Sequence, residues 1–464
     1  MPQRRPRLLY LAFYFPPSRA SGVYRARATA NRLTEEGWDV TVFAAPLPFL
    51  YETVGSVDEK LSETVDPRIS VVRPKLNRYT WQTELRDFSR FRRTFPHLAH
   101  SMYEWGQRHV FPERYVSWAR ASVIRALRMH ARRRFDVVLA TGNPFASFGA
   151  AWAFHRLTRT PYIIDYRDSW TLDLFSEEPA FDEGHPAWTW ERRIIKSAAA
   201  TVFVNDALRT WHAGRYPDQA ERMLVVPNGW DADTLPATVK PPPVARSREK
   251  TAPRFSYLGT LTGKQPIEPM LEAFGQAREH PDMAGAELGL HGYLGFFKGS
   301  GRGLNRRLAE AFADAEGDGQ GPTSWLRYHG PVSKIEVAEV YRTSDVLVFL
   351  AGGARYVTSG KIFEYMAAGR PIVSVHAPGS AAEEVLRGYP LWFNPGGLDP
   401  ADIAASLIEA AKTAAGLDDR QVAEARAYAE RYERNVSLEP LVRRLAELAT
   451  ARGHAPAGDG RATE

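Results

Sequence analysis

Apolar positions in the first fifty residues change their period twice. Leu8 to Tyr14 is a continuous apolar run, the pattern of a parallel strand covered on both faces. A loop over Phe15 to Gly22 follows. Val23, Ala26, Ala30 and Leu33 then recur at helical spacing as far as Gly37, a residue suited to ending a helix. Val40 to Ala44 reads as a second strand, so this stretch predicts a right-handed βαβ unit. The rhythm returns with a strand at Val137 to Ala140 and a helix face marked by Phe148, Ala151, Trp152 and His155. Strands at Tyr162 to Ile164 and Val202 to Val204 come next, and Val225-Val226 runs into the turn signal Pro227-Asn228-Gly229.

Between Leu235 and Arg254 periodicity stops: Pro236 and Pro241-Pro242-Pro243 stand among charges, as in a linker. Beyond it, strands are predicted at Phe255 to Leu258, Leu288 to His291, Leu326 to His329, Val346 to Leu350 and Ile372 to Val375. Helices are predicted between them around Met270 to Ala277, Leu304 to Phe312, Lys334 to Thr343 and Ile362 to Ala368. Two amphipathic helices, near Asp402 to Ala414 and Val422 to Ala451, are expected to close the chain. The expected fold is α/β, with two doubly wound Rossmann-like domains facing a cleft. The first domain is expected over 1–234, a Pro-rich linker over 235–254 and the second domain over 255–430. A C-terminal helix over 431–451 and a flexible tail over 452–464 complete the expectation. Ligands of such sheets bind at the carboxyl ends of strands, where the strand order switches.

Composition narrows the chemistry. At about 150 residues per domain, 464 residues make two or three domains, and 44% hydrophobic with 25% charged residues excludes global disorder. The absence of Cys excludes a disulfide framework, a thiolate metal site and a Cys nucleophile. A net charge of +6 is too small to point to nucleic acid, and neither a zinc-finger spacing nor an aromatic RNP-like strand accompanies it. The basic residues are 50 Arg and 10 Lys, giving many planar forks that match phosphate and carboxylate. Arg4, Arg5 and Arg7 before Leu8 to Phe15 imitate a signal peptide. That run is short, contains Tyr10 and Tyr14, ends in Pro16-Pro17 and lacks a small-residue cleavage site, so it reads as a buried first strand. No segment reaches the ~18 to 20 apolar residues of a membrane span. A cytoplasmic location is expected, with a peripheral position at the inner face of a membrane as the alternative.

Two loops have anion-binding character. Gly22 with Arg25 follows the first strand of the first half, and Gly259 with Lys264 follows that of the second. Backbone N–H groups at a helix start, joined by a cation, hold anions, and two such loops suit a diphosphate. Gly259-Thr260-Leu261-Thr262-Gly263-Lys264 imitates a Walker loop but is one residue short and has Gln265 where Ser or Thr is required; the dinucleotide G-x-G-x-x-G is missing. In Ser359-Gly360-Lys361-Ile362-Phe363-Glu364, a carboxylate stands in the first turn of a helix beyond a strand, suited to two vicinal ribose hydroxyls or simply to capping.

Together these pieces resemble the GT-B glycosyltransferases of the large family 4 type, retaining enzymes that use nucleotide sugars. The resemblance rests on Tyr14-Phe15-Pro16-Pro17 with Gly22 and Arg25, Glu36-Gly37-Trp38-Asp39-Val40, Tyr166-Arg167-Asp168-Ser169-Trp170 and Pro227-Asn228-Gly229-Trp230-Asp231. Tyr257-Leu258-Gly259, His329-Gly330-Pro331-Val332, Ser344-Asp345-Val346 and the Glu364 segment continue it. It implies Glu364 as the ribose carboxylate, Lys264 as the donor-phosphate lysine, Gly22 beside the diphosphate, and Asp168 near the reacting carbon. Two positions depart from the family: Tyr356 stands eight before Glu364, where Glu is frequent, and Thr260 follows Gly259, where Arg is frequent. Arg25, Arg355 or Lys361 could supply the missing charge.

The expected catalytic residues are thus Asp168, Lys264 and Arg25. Gly22, Gly259, Thr260, Lys264, Lys361 and Glu364 are expected to bind the donor, with no metal and no cofactor beyond a nucleoside diphosphate sugar. The expected reaction is transfer to a small-molecule acceptor, a secondary-metabolite precursor for example, with retention of configuration and no protein nucleophile. A lipid-linked or envelope-glycan acceptor, an epimerase or hydrolase, and a non-catalytic nucleotide-binding partner are the alternatives. The stretch from Pro46 to Glu113, where the resemblance fails, is expected to carry acceptor specificity. Its basic and aromatic residues suit either a polar pocket or an anionic membrane; the scattered arginines, without an evident apolar stripe, favour a soluble acceptor.

Overall fold

The computed structural model describes residues 4–82, 85–235, 252–293, 325–352 and 355–453. The helix expected around Leu304 to Phe312, most of the linker and the tail from residue 454 lie outside the described residues. The chain divides into two compact units, one of Met1–Pro227 with Leu438–Glu464 and the other of Asn228–Ser437.

The first unit contains a seven-stranded parallel sheet in the order β3-β2-β1-β4-β5-β6-β7. Its strands are β1 (Arg7–Leu11), β2 (Asp39–Phe43), β3 (Ser70–Val72), β4 (Val137–Thr141), β5 (Tyr162–Tyr166), β6 (Ala200–Phe203) and β7 (Met223–Val225). The order reverses between β1 and β4, so the loops after these two strands flank the switch point. Leu8, Tyr10, Val40, Val42, Val137, Leu139 and Ile163 form one core with Leu438, Leu441 and Leu445. The helix Arg434–Thr450 therefore begins in the second unit and completes the core of the first.

The second unit contains a six-stranded parallel sheet in the order β10-β9-β8-β11-β12-β13. Its strands are β8 (Arg254–Leu258), β9 (Glu287–His291), β10 (Leu326–Gly330), β11 (Val346–Leu350), β12 (Ile372–Val375) and β13 (Trp392–Phe393). Along β11, Val346, Val348 and Leu350 face one core while Leu347 and Phe349 face another. Burial on both faces is why such strands are apolar throughout rather than alternating.

Two expectations are corrected here. Val422 to Ala451 is not one helix but two, Asp419–Glu430 and Arg434–Thr450. The first starts in a capping box between Asp418 and Gln421. The break falls where the Trp230 N–H donates to the Tyr432 carbonyl (3.1 Å) and the Arg434 N–H donates to the Trp230 carbonyl (2.9 Å). These bonds withdraw both groups from a helical ladder. The second correction concerns the apolar stripe. Helices Arg90–Thr94 and Pro96–His109 turn Ala99 inward and stack Tyr103 on Tyr79 at 4.9 Å. The larger apolar side chains Phe91, Phe95, Leu98, Met102 and Trp105 are left 46% to 59% exposed.

Candidate functional site

In the first unit the glycine loop after β1 carries a cation, though not the expected one. A β-carbon added to Gly22 would lie 1.7 Å from Nη1 of Arg167, so only glycine admits this guanidinium. Arg167 follows β5; its Nε donates to Thr141 Oγ1 (3.0 Å) and its Nη2 to the Asn143 carbonyl (3.3 Å). One side chain thus ties together the carboxyl ends of β1, β4 and β5 at the switch point. Asp168, beside it, is half-buried and makes no hydrogen bond or ion pair among the described residues.

Arg25, expected as a catalytic cation, is a structural strut. It is 1% exposed, and its Nε and Nη2 donate to both carboxylate oxygens of buried Asp165 at 2.8 and 2.9 Å. Its Nη1 donates to the carbonyls of Val226 and Pro227. Arg25 stands in the first turn of helix Val23–Glu35 with its side chain turned inward to Asp165, and the half-buried Arg167 takes the place beside Gly22.

The second unit repeats the motif with lysine. Gly259 follows β8 at φ +131°, and a β-carbon there would lie 1.9 Å from Nζ of Lys361. The Lys361 ammonium donates to the Tyr257 hydroxyl at 3.0 Å and stands at the N-terminus of helix Lys361–Ala368. That helix adds unpaired N–H groups and its positive dipole end to the same place. Across the switch point, a β-carbon on Gly352, after β11, would sit 1.8 Å from the Lys264 carbonyl, so the loops after β8 and β11 touch. Thr260 lies in this loop, half-buried, and its carbonyl accepts from the Tyr257 hydroxyl at 3.3 Å. The Lys264 side chain is exposed. Gly259, Thr260, Lys264 and Lys361 are therefore gathered on one rim of the sheet.

Glu364, one turn into that helix, is buried and engaged from behind. Its Oε1 pairs with the buried Lys334 ammonium, and the Tyr341 hydroxyl donates to its Oε2 at 2.9 Å. A carboxylate offers about four lone-pair positions, so two partners orient it without exhausting it. Neither partner carried a sequence signal: Lys334 reads as a solvated helix-start lysine, and only the fold brings it 30 positions along to Glu364. Tyr356, where the family often has Glu, is buried, and the Arg355 guanidinium lies 5.0 Å from its ring centre. Next to this rim, His291 at the end of β9 stacks on His329 of β10 at 4.4 Å. Burial, and secondarily His329, depress the His291 imidazole to about 4.

Two parallel α/β units with glycine–cation pairs at both switch points define a GT-B glycosyltransferase fold. Residues 22–229 match the model for a glycosyl transferase 4-like domain, and residues 252–413 match that for glycosyl transferases group 1. The chain belongs to the GT-B glycosyltransferases of the family 4 type. Among solved structures it is similar to a glycosyltransferase from Rickettsia africae (TM-score 0.66, 11% identity, covering 96% of this chain and 98% of that one). It is also similar to sucrose-phosphate synthase from Thermosynechococcus elongatus (0.64, 13%, 96% and 100%). A third is HepE from Anabaena, solved in complex with UDP and glucose (0.60, 14%, 94% and 98%). These identities carry the fold alone. No curated protein matches the sequence. Among the described residues no helix is long and apolar enough to cross a membrane.

Proposed function

We propose that this glycosyltransferase moves a sugar from a nucleoside diphosphate donor to a hydroxyl of a small-molecule acceptor with retention of anomeric configuration. The observation that carries the donor assignment is the cluster of Gly259, Lys361 and Glu364 at one switch point. Glycine backbone, an ammonium and a helix N-terminus suit a diphosphate, and an oriented carboxylate one turn away suits the ribose hydroxyls. Lys264 and Lys361 stabilise the charge that grows on the diphosphate as the bond from the anomeric carbon breaks. The acceptor oxygen then bonds to that carbon on the face the diphosphate leaves, and its proton passes to a departing phosphate oxygen. Two lysines on the leaving group make turnover without added divalent metal the expected result. The UDP complex of the Anabaena neighbour makes a uridine diphosphate sugar the first donor to try.

The first unit is assigned the acceptor, with Asp168 free to take one of its hydroxyls and Arg167 beside it. An acceptor presented at a lipid surface is the second reading, favoured by the exposed stripe over Phe91 to Trp105. Incubation with UDP-sugars and a mixed acceptor pool, read by mass spectrometry and by NMR of the anomeric proton, tests the proposal. A product with the donor's configuration supports it. Inverted product, or free sugar alone in the presence of every acceptor, overturns it.

A further inference from the structure

The exposed stripe is a built feature of the first unit. On helix Pro96–His109, Leu98, Met102, Trp105 and His109 recur three and four apart and so share one face. Trp105 and His109 stack at 5.2 Å, and before the helix Phe91 and Phe95 lie 5.8 Å apart. The opposite face is spent on the unit itself: Ala99 is buried, Tyr103 stacks on Tyr79, and Gln107 donates to the Glu113 carbonyl at 3.2 Å. Leu98, Met102 and Trp105 therefore face water, while Ala99 is the one buried residue of this helix. At 1.5 Å per residue the helix alone presents about 20 Å of this face.

Charge decides what covers it. From Leu85 to Val110 the chain has five arginines against two carboxylates, Asp87 and Glu104. Arg92 is committed inward, its guanidinium 3.5 Å from the centre of the Phe88 ring and 4.0 Å from that of Tyr79. Arg90, Arg93 and Arg108 are exposed and make no ion pair among the described residues. A second copy of the chain would set two surfaces of the same excess charge against each other. A bare polyanion would leave Phe95, Leu98 and Met102 in water. An anionic bilayer satisfies both features: apolar side chains and a tryptophan enter the interface, while arginines meet phosphate with their stems along the apolar boundary.

We propose that the surface from Phe91 to Trp105 docks the first unit on an anionic lipid bilayer, with Arg90, Arg93 and Arg108 engaging lipid phosphates. This goes beyond the glycosyl transfer and holds whichever acceptor is used, because it rests on the helix surface and not on the catalytic rim.

The test is co-sedimentation of the full chain with vesicles of phosphatidylcholine, with and without phosphatidylglycerol, at low and moderate salt. Binding is expected to the phosphatidylglycerol vesicles and to weaken as salt rises. A chain carrying Arg90→Ala, Arg93→Ala and Arg108→Ala is expected to bind about 100-fold more weakly at low salt, the scale of three basic side chains at a charged surface. A second chain, with Leu98→Ser, Met102→Ser and Trp105→Ser, is expected to lose binding at every salt concentration. All six side chains are exposed, so thermal unfolding of both variants should match the parent. Failure to bind phosphatidylglycerol vesicles, or equal binding by either triple variant, overturns the proposal. So does a concentration-dependent dimer of the parent that the apolar triple abolishes. Donor binding by calorimetry is a separate readout that none of these outcomes touches.

Discussion

Lys334 and Glu364 form an ion pair almost shut away from water, at side-chain exposures of 4% and 9%. The carboxylate assigned to the donor's ribose is thus also half of a buried pair. Removing either partner strands a charge, a far larger effect than losing one hydrogen bond to a ligand.

Lys334→Met and Glu364→Ala are each expected to destabilise the fold by about 3 to 5 kcal/mol, the scale of breaking a buried pair. Chain with Lys334→Met and Glu364→Leu together should recover much of that loss. Urea unfolding followed by circular dichroism checks this. A loss below about 1 kcal/mol for the single variants would mean that water screens the pair as it does at a surface.

Glu364→Gln made together with Lys334→Met separates binding from folding, because the amide keeps the shape, its oxygen can still accept from Tyr341, and no buried charge is left without a partner. Affinity for the nucleotide alone is expected to fall by about 1 to 3 kcal/mol, the scale of a charged hydrogen bond. Calorimetry at a temperature where the variant is folded makes the measurement. Unchanged affinity would remove Glu364 from the donor site.

Lys264→Ala is expected to lower kcat by about 100-fold with little change in acceptor KM, because the charge it meets appears as the diphosphate leaves. Gly259→Ala should weaken donor binding itself. Its φ of +131° is strained for a side chain, and the new methyl would displace the Lys361 ammonium. Steady-state kinetics separate the two, and a raised acceptor KM alone for Lys264→Ala would end its role as a phosphate ligand.

Arg25→Met is expected to act on stability before activity, at about 3 to 5 kcal/mol, because it leaves the Asp165 carboxylate buried and unpaired. Arg167→Met, at a half-buried position, gives up two hydrogen bonds but strands no buried carboxylate, so it should cost less stability than Arg25→Met, about 1 to 2 kcal/mol, and lower turnover. Paired thermal melts and initial rates of both variants give the comparison. The opposite ranking would return the catalytic assignment to Arg25.

Acid should weaken the second unit. The His291 imidazole is held near 4, below its ordinary value of about 6.5, so the unfolded chain takes up a proton first as pH falls. Stability contributed at this position is complete above pH ~6.5 and declines from there toward pH 4. Melting temperatures at pH 7, 5.5 and 4.5 should fall less steeply in His291→Asn than in the parent. Parallel curves would show that His291 does not titrate on unfolding.

Most of the sheet architecture is legible in the sequence because its strands are buried on both faces. The Val346 to Leu350 and Ile372 to Val375 runs are strands to the residue, and each switch-point glycine is flagged by the apolar run before it. Legibility fails where partners are distant in sequence. Arg25 and Asp165 are separated by 140 positions, and a helix-start arginine beside a glycine reads the same whether it turns inward or outward. Ser70–Val72 carries no strand signal in the sequence, because an edge strand of three residues with an exposed face has no sustained period. The stripe at Phe91 to Trp105 was hidden by a helix that keeps its large residues outside, the reverse of what amphipathic reading assumes.

The path of the last helix has a consequence for synthesis. Leu438, Leu441, Leu445 and Ala449 belong to the same core as β1, β2 and β4, so these strands wait for residues made only after the second unit. On the ribosome the amino-terminal unit would emerge with an apolar face open while the whole second unit is being translated. It is then a client for chaperones for longer than its own length implies, and a fragment ending at Pro227 should aggregate unless the helix from Arg434 is supplied in trans.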